Sequence, residues 1–276
     1  MREKMKGFVH SNAILSAFLL CVLFISAVTI FGILLLDMIP PIRLTIFTIG
    51  QLVLSGILIW LMRKLEVFDV NEFRFRGIVE KLPLAWFGIV YIIVSFFVVF
   101  TQIPADSYIS PNISYLLIVI LHPFIGTGIF EEVLYRGLVL KILLNKMGDS
   151  KKGTIHSIII SSALFGFFHV GNIFAGAPVM STITQMISAT ATGLFFAVIF
   201  VRTRKLLIPI LLHGLLNLSV QIFDAIVSPA ALALGAGSQA EINIIGFIVN
   251  TLFETLPILI AGLILLRKVK PAESET

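Results

Sequence analysis

Glu131, Glu132 and Arg136 put two carboxylates and a guanidinium into the short run Phe130 to Arg136, inside one of the most apolar stretches of the chain. A charged side chain at the centre of a membrane helix costs about 2.5–3.5 kcal/mol. Ionisable groups at that depth face each other or a cavity, and three so close together mark a functional site. Glu132 and Arg136 stand i,i+4 and can pair along one helix face. Glu131, turned about 100° from Glu132, has no local partner. Such a carboxylate takes up a proton in lipid unless a cation, a metal or water stands beside it. The reading without chemistry is a network in which both glutamates share Arg136 and hold helices together.

Two further pairs repeat the four-residue spacing that puts side chains on one helix face. Phe165 and His169 close the run Ser-Ala-Leu-Phe-Gly-Phe-Phe-His, and His213 and Asn217 lie in Leu-Leu-His-Gly-Leu-Leu-Asn. A single membrane histidine is commonly an interhelical hydrogen-bonding group. Two histidines, an amide and a spare carboxylate on three helices supply the parts for activating a water and holding an oxyanion. Asn250 and Glu254 form another i,i+4 pair before Pro257; they either line the same cavity or pair with a neighbouring helix. His122, followed by Pro123, reads as a hydrogen-bonding partner at a helix kink, whereas His10 and His156 fall near helix ends. Ser162/Gly166 and Ala189/Gly193 have the spacing of close helix packing.

Lipid is the medium that must hold these groups. Of 276 residues, 58% are hydrophobic, 13% are charged and 24 are Phe, where a soluble domain carries about 25% charged residues. Mean hydropathy is +1.06. The predicted fold class is an all-α polytopic membrane protein, a single membrane domain over residues 1–276. Eight apolar spans approach the roughly 20 residues that a crossing helix needs. They run Ala13–Leu36, Leu44–Met62, Pro83–Gln102, Ile113–Leu140, Thr154–His169, Met180–Val201, Leu206–Phe223 and Ile242–Leu266. The first is expected to be a permanent anchor, because its apolar core is too long for a cleaved signal and no small-x-small site follows. Cys21 stands alone, which excludes a disulfide framework and a cysteine zinc site.

With eight crossings, 18 of the 20 Lys and Arg fall in loops and tails on one side. That side is cytoplasmic by the positive-inside rule, so both termini are expected inside. The pI near 9.4 therefore reflects membrane orientation and implies no nucleic acid. Arg63–Leu82 suits an amphipathic helix at the interface, and Ser228–Gln239 a loop or a shallow re-entrant turn on the opposite side. Helix rise puts His213 about 10 Å and Glu131 about 14 Å from the cytoplasmic ends of their spans, with His169 deeper at about 22 Å. From two of these three depths, a funnel between the fourth, fifth and seventh spans is expected to open to the cytoplasm.

Glu131-Glu132-x-x-x-Arg136, Phe165-x-x-x-His169 and His213-x-x-x-Asn217, in that order on successive apolar spans, resemble the three motifs of the CPBP intramembrane protease family. This family groups CAAX prenyl endopeptidases with bacteriocin-processing and immunity-type proteins. The resemblance runs from Ile113 to Phe223 and makes residues 113–223 the catalytic core. It implies a multi-pass protein of the bacterial plasma membrane that hydrolyses a peptide bond in a membrane-associated peptide or protein. Glu131, His169, His213 and Asn217 would be catalytic, with Glu132, Arg136 and Phe165 in support. Two mechanisms stay open. In one, His169, His213 and Glu131 hold a Zn²⁺ that carries the water. In the other, Glu131 and His169 activate water while His213 and Asn217 hold the oxyanion. The competing functions are a secondary transporter, whose buried charges would bind substrate or relay protons, and a non-catalytic membrane immunity or scaffold protein.

Overall fold

A computed structural model of the chain describes residues 2–101, 113–226 and 244–272. These residues form helices and connecting turns, with no strand among them. Seven helices are long and apolar enough to cross a membrane: α2 (Ala13–Leu34), α3 (Pro40–Lys64), α4 (Ile78–Val98), α5 (Tyr115–Met147), α6 (Lys151–Phe174), α7 (Val179–Thr203) and α9 (Ile244–Leu266). The remaining expected span, Leu206–Phe223, falls on α8 (Leu207–Ile226), whose apolar stretch Leu207–Ile222 is shorter than the others. A surface helix, α1 (Arg2–Ser11), precedes them. Ser228–Gln239 lies outside the described residues.

Burial is concentrated in α5 and α7. From Glu132 to Leu144 every residue of α5 is buried, and two thirds of the apolar window of α7 is buried. A helix that buries its whole circumference sits at the centre of its bundle, so the charged motif lies on the most enclosed element. By contrast, α2, α3, α4 and α9 turn large side chains outward, among them Leu23, Val53, Trp60, Ile93, Phe97 and Phe253. This apolar exterior is what a lipid-facing surface requires. The structure is that of an integral, multi-pass membrane protein.

Small residues set the closest approach, between α6 and α7. A Cβ on Gly166 would collide with the Thr190 hydroxyl and lie 2.5 Å from the Met186 carbonyl oxygen, and one on Gly193 would meet the Phe165 ring at 2.9 Å. The central α5 departs from regular α-helix twice, with π-helical turns at Pro123–Gly128 and Val133–Leu140. Pro123 lacks the N–H that a regular turn would use. His122 spans the first irregular turn, its Nδ1 2.8 Å from Thr48 Oγ1 and its Nε2 3.1 Å from Thr127 Oγ1. Thr48 spends its own proton on the Leu44 carbonyl at 2.7 Å. His122 Nδ1 must therefore donate, and Nε2 accepts from Thr127.

The basic loops converge on one face. Lys6 pairs with Glu66 at 2.5 Å, Lys205 Nζ donates to the Asn71 carbonyl at 2.9 Å, and Lys151 Nζ donates to that of Arg267 at 2.8 Å. Arg63–Leu82 differs from the single amphipathic helix that was expected. It holds a 3-10 turn, Val70–Phe73, capped by Asp69, whose carboxylate accepts from Asn71 N at 2.8 Å. A left-handed Gly77 at φ +79° then starts the next helical turn. Asp69 and Gly77 are turn and cap residues that interrupt a helix. The segment also lowers Glu72 into the bundle, fully buried, to meet Lys141 Nζ at 2.7 Å. Burial pushes the Glu72 carboxyl above its ordinary range, and Lys141 pulls it back in part.

Candidate active site

Glu132 is the organising group of the motif residues. Its side chain is 0% exposed and its Oε1 accepts from Arg136 Nη1 at 2.9 Å. The same oxygen lies 2.8 Å from His213 Nδ1. The guanidinium, 1% exposed, also donates through Nη2 to the Gly193 carbonyl at 3.1 Å and lies over the rings of Phe165 and Phe196 at 4.5 and 5.6 Å. A buried ion pair is tolerated when further hydrogen bonds occupy its lone pairs and protons. Here one bond joins α5 to α8, one joins α5 to α7, and the third closes the pair within α5.

These contacts fix the protons on both histidines. An ionised Glu132 accepts only, so His213 Nδ1 carries hydrogen and Nε2 points away, 3.7 Å from Glu131 Oε2. His169 Nδ1 lies 2.8 Å from the Phe165 carbonyl oxygen, another pure acceptor. Its Nδ1 therefore also carries the hydrogen, and the Nε2 lone pair remains free on the neutral ring. That carbonyl is four residues back, where α6 tightens into a 3-10 turn at Phe168–Val170, and the tight turn sets the ring's direction.

Phe165 ties the three motif helices together. Its ring meets Tyr135 at 5.0 Å, His169 at 5.1 Å and His213 at 5.8 Å, each edge to face, in addition to the Arg136 contact. Aromatic pairs in this geometry contribute about 0.5–1.5 kcal/mol each beyond their burial.

Glu131, His169, His213 and Asn217 line one cavity of about 210 Å³, closed on its other sides by residues of α2, α5 and α7. Glu131, 18% exposed, thus faces open space, whereas Glu132 is sealed. The cavity therefore draws on α2 and α7 as well as on the three motif helices, with Thr29 and Gln185 as their polar contributions. Among the described residues no three His, Cys, Asp or Glu side chains cluster closely enough to hold a metal ion. Glu131 stands 16 residues from either end of α5 (Tyr115–Met147), about 24 Å by helix rise.

Beside this cavity is a larger one of about 600 Å³ that shares Asn172, Gln185, Asn217 and Gln221 with it and reaches the Ala175–Pro178 turn. Glu254 and Asn250 line this second chamber, where the Asn250 amide donates to Glu254. Sequence reasoning singled out neither Gln185 nor Gln221, although each is an amide in an apolar span. Asn172 donates to Gln185 Oε1 at 2.7 Å.

Residues 112–219, which contain all three motifs, match the family model of the type II CAAX prenyl endopeptidases, Rce1-like. No curated protein and no solved structure matches the chain.

Proposed function

We propose that this membrane protein, with its Rce1-like CAAX prenyl endopeptidase segment at residues 112–219, is an intramembrane endopeptidase that uses Glu131 to activate water against a peptide bond of a membrane-associated substrate. The observation that carries this reading is the division of labour between adjacent carboxylates. Glu132 is sealed in an ion pair and aims His213, while Glu131 faces the cavity that His169, His213 and Asn217 also line.

Each side chain then has a role consistent with its proton inventory. Glu131 takes a proton from water as the oxygen attacks the substrate carbonyl carbon. The His169 Nε2 lone pair accepts the second hydrogen of that water and orients it. Charge develops on the carbonyl oxygen as the tetrahedral intermediate forms. The Asn217 amide donates to it, as does His213 Nε2 when that ring carries its second proton, a form that Glu132 stabilises across 2.8 Å. Glu131 then returns its proton to the departing nitrogen as the carbon–nitrogen bond breaks. No step passes through a metal.

The transporter reading requires the buried charges to bind cargo or relay protons, and the family match does not favour it. Purified protein incubated with a library of lipid-anchored and free peptides tests the choice. The proposal expects new amino termini detected by mass spectrometry. Proton or ion flux in liposomes without any cleavage would select the transporter instead.

A further inference from the structure

A buried polar cluster at the first π-helical turn of α5 has no part in the reaction proposed so far. His122, Thr48 and Gln51 are all buried, on two helices whose surroundings make polar groups costly. Thr127, five residues after His122, joins them through its Oγ1, 3.1 Å from His122 Nε2. In a regular helix, residues five apart point about 140° away from each other. The π-helical turn at Pro123–Gly128 brings these two onto one face. Gly126 leaves the room for it, since a Cβ there would lie 2.7 Å from Gln51 Oε1 and 2.8 Å from His122 Nδ1.

The protons of this cluster run in one direction. Thr48 donates to the Leu44 carbonyl and accepts from His122 Nδ1, which leaves Nε2 to accept from Thr127. A threonine hydroxyl has one proton and two lone pairs, so the proton of Thr127 is spent inside the protein. Gln51 Nε2 and Oε1 both stand 3.5 Å from that hydroxyl, beyond an ordinary hydrogen bond, and at least one lone pair is left over. Thr127 lines the motif cavity together with Glu131, one turn before it and about 6 Å away along the axis. Any hydrogen bond that its oxygen makes in that cavity is as an acceptor.

A peptide bond held for attack needs such an acceptor. In a trans peptide unit the carbonyl oxygen and the N–H point in opposite directions. The groups that hold the oxyanion therefore leave the N–H of the scissile bond without a partner, and a buried unpaired N–H is costly. Glu131 must reach the same nitrogen to return its proton, which brings that nitrogen close to Thr127. Resting on the endopeptidase reading, we propose that Thr127 is a further substrate-contacting residue, whose Oγ1 accepts the N–H of the scissile peptide unit, and that His122 is the positioning residue that keeps this oxygen an acceptor. The hydrogen stays on nitrogen throughout. Holding it turns the nitrogen lone pair of the tetrahedral intermediate toward Glu131. As the carbon–nitrogen bond breaks, the nitrogen takes its second hydrogen from Glu131 and leaves as an amine. A hydroxyl free to donate would compete with Glu131 for that lone pair.

The test compares a cleaved peptide with its ester analogue, in which oxygen replaces the scissile N–H, using full-length protein in detergent. Thr127→Val keeps nearly the same shape and removes the hydroxyl. It is expected to lower kcat/KM for the peptide about tenfold, the worth of one neutral hydrogen bond, and to leave the ester unchanged. Thr127→Ser, which keeps the hydroxyl, should stay near wild type on both substrates. Thr127→Ala carries the same expectation as the valine and replaces it if the valine does not fold. A purely structural role lowers both substrates equally; that result, or an undiminished peptide rate, overturns the proposal. His122→Phe frees the Thr127 proton and should raise the ester-to-peptide ratio of kcat/KM as well. An unchanged ratio there overturns the part given to His122. If wild type cleaves neither substrate, the endopeptidase reading fails, and this proposal with it.

Discussion

Glu132→Gln separates the organising role of that carboxylate from a merely structural one. The replacement keeps one amide oxygen, which can accept from Arg136 or from His213 but without charge. Hydrogen bonds between neutral groups are about half as strong as charge-assisted ones, and the two bonds at stake measure 2.9 and 2.8 Å. Arg136, 1% exposed, would keep the Gly193 carbonyl, the faces of Phe165 and Phe196 and at most one neutral acceptor, with no counter-charge. Stranding one member of a buried pair costs about 3–5 kcal/mol. The cation–π contacts, worth up to about 2 kcal/mol when desolvated, offset part of it, which leaves a destabilisation of about 2–4 kcal/mol. Activity should fall further than stability. Without the carboxylate, the doubly protonated His213 loses its support, and loss of one oxyanion donor costs about 10²–10³ in kcat. Thermal unfolding in detergent, read beside hydrolysis by the folded fraction, measures both effects. A variant that unfolds like wild type would refute the reasoning about the ion pair. A destabilised variant with full kcat would confine Glu132 to structure.

Three further outcomes follow from the same geometry. Phe165→Ala should destabilise the protein by about 3–5 kcal/mol and lower kcat in the folded fraction, because His169, His213 and Arg136 all lean on that ring; unchanged kcat would show that the contacts do not position the histidines. Glu72→Gln should lower stability at neutral pH by leaving Lys141 buried without its counter-charge. Because the folded Glu72 carboxyl lies above its ordinary value, its own contribution is complete below the unfolded value and is lost as pH rises through the folded one. A matching decline in wild-type unfolding temperature, missing from Glu72→Gln, checks the sign. Hydrolysis should withstand dialysis against a zinc chelator; its loss, with recovery on adding Zn²⁺, would show that the donors rearrange around a metal.

Much of this architecture is legible in the chain because lipid imposes a simple rule. A helix that crosses it needs a long apolar run, and the positions of seven such helices follow from hydropathy. The ion pair between Glu132 and Arg136 is equally legible, since both residues lie on one helix at i,i+4. Contacts between helices are not. Nothing local indicates that Glu132 also meets His213 or that Glu72 reaches Lys141 from 69 residues away. The Arg63–Leu82 segment looked amphipathic by charge and aromatic content, but Asp69 and Gly77 dictate turns.

The central claim is that Glu131, and not its neighbour, supplies the base for peptide hydrolysis. The most direct measurement is the kcat of purified wild type and Glu131→Gln on the same cleaved peptide, with unfolding temperature recorded for both. Among the described residues Glu131 Oε2 makes no hydrogen bond, with His213 Nε2 3.7 Å away, so the glutamine should leave the unfolding temperature near that of wild type. Hydrolysis should fall by at least about 10²-fold, the low end of general-base contributions. Retained hydrolysis in a folded Glu131→Gln protein would contradict the account.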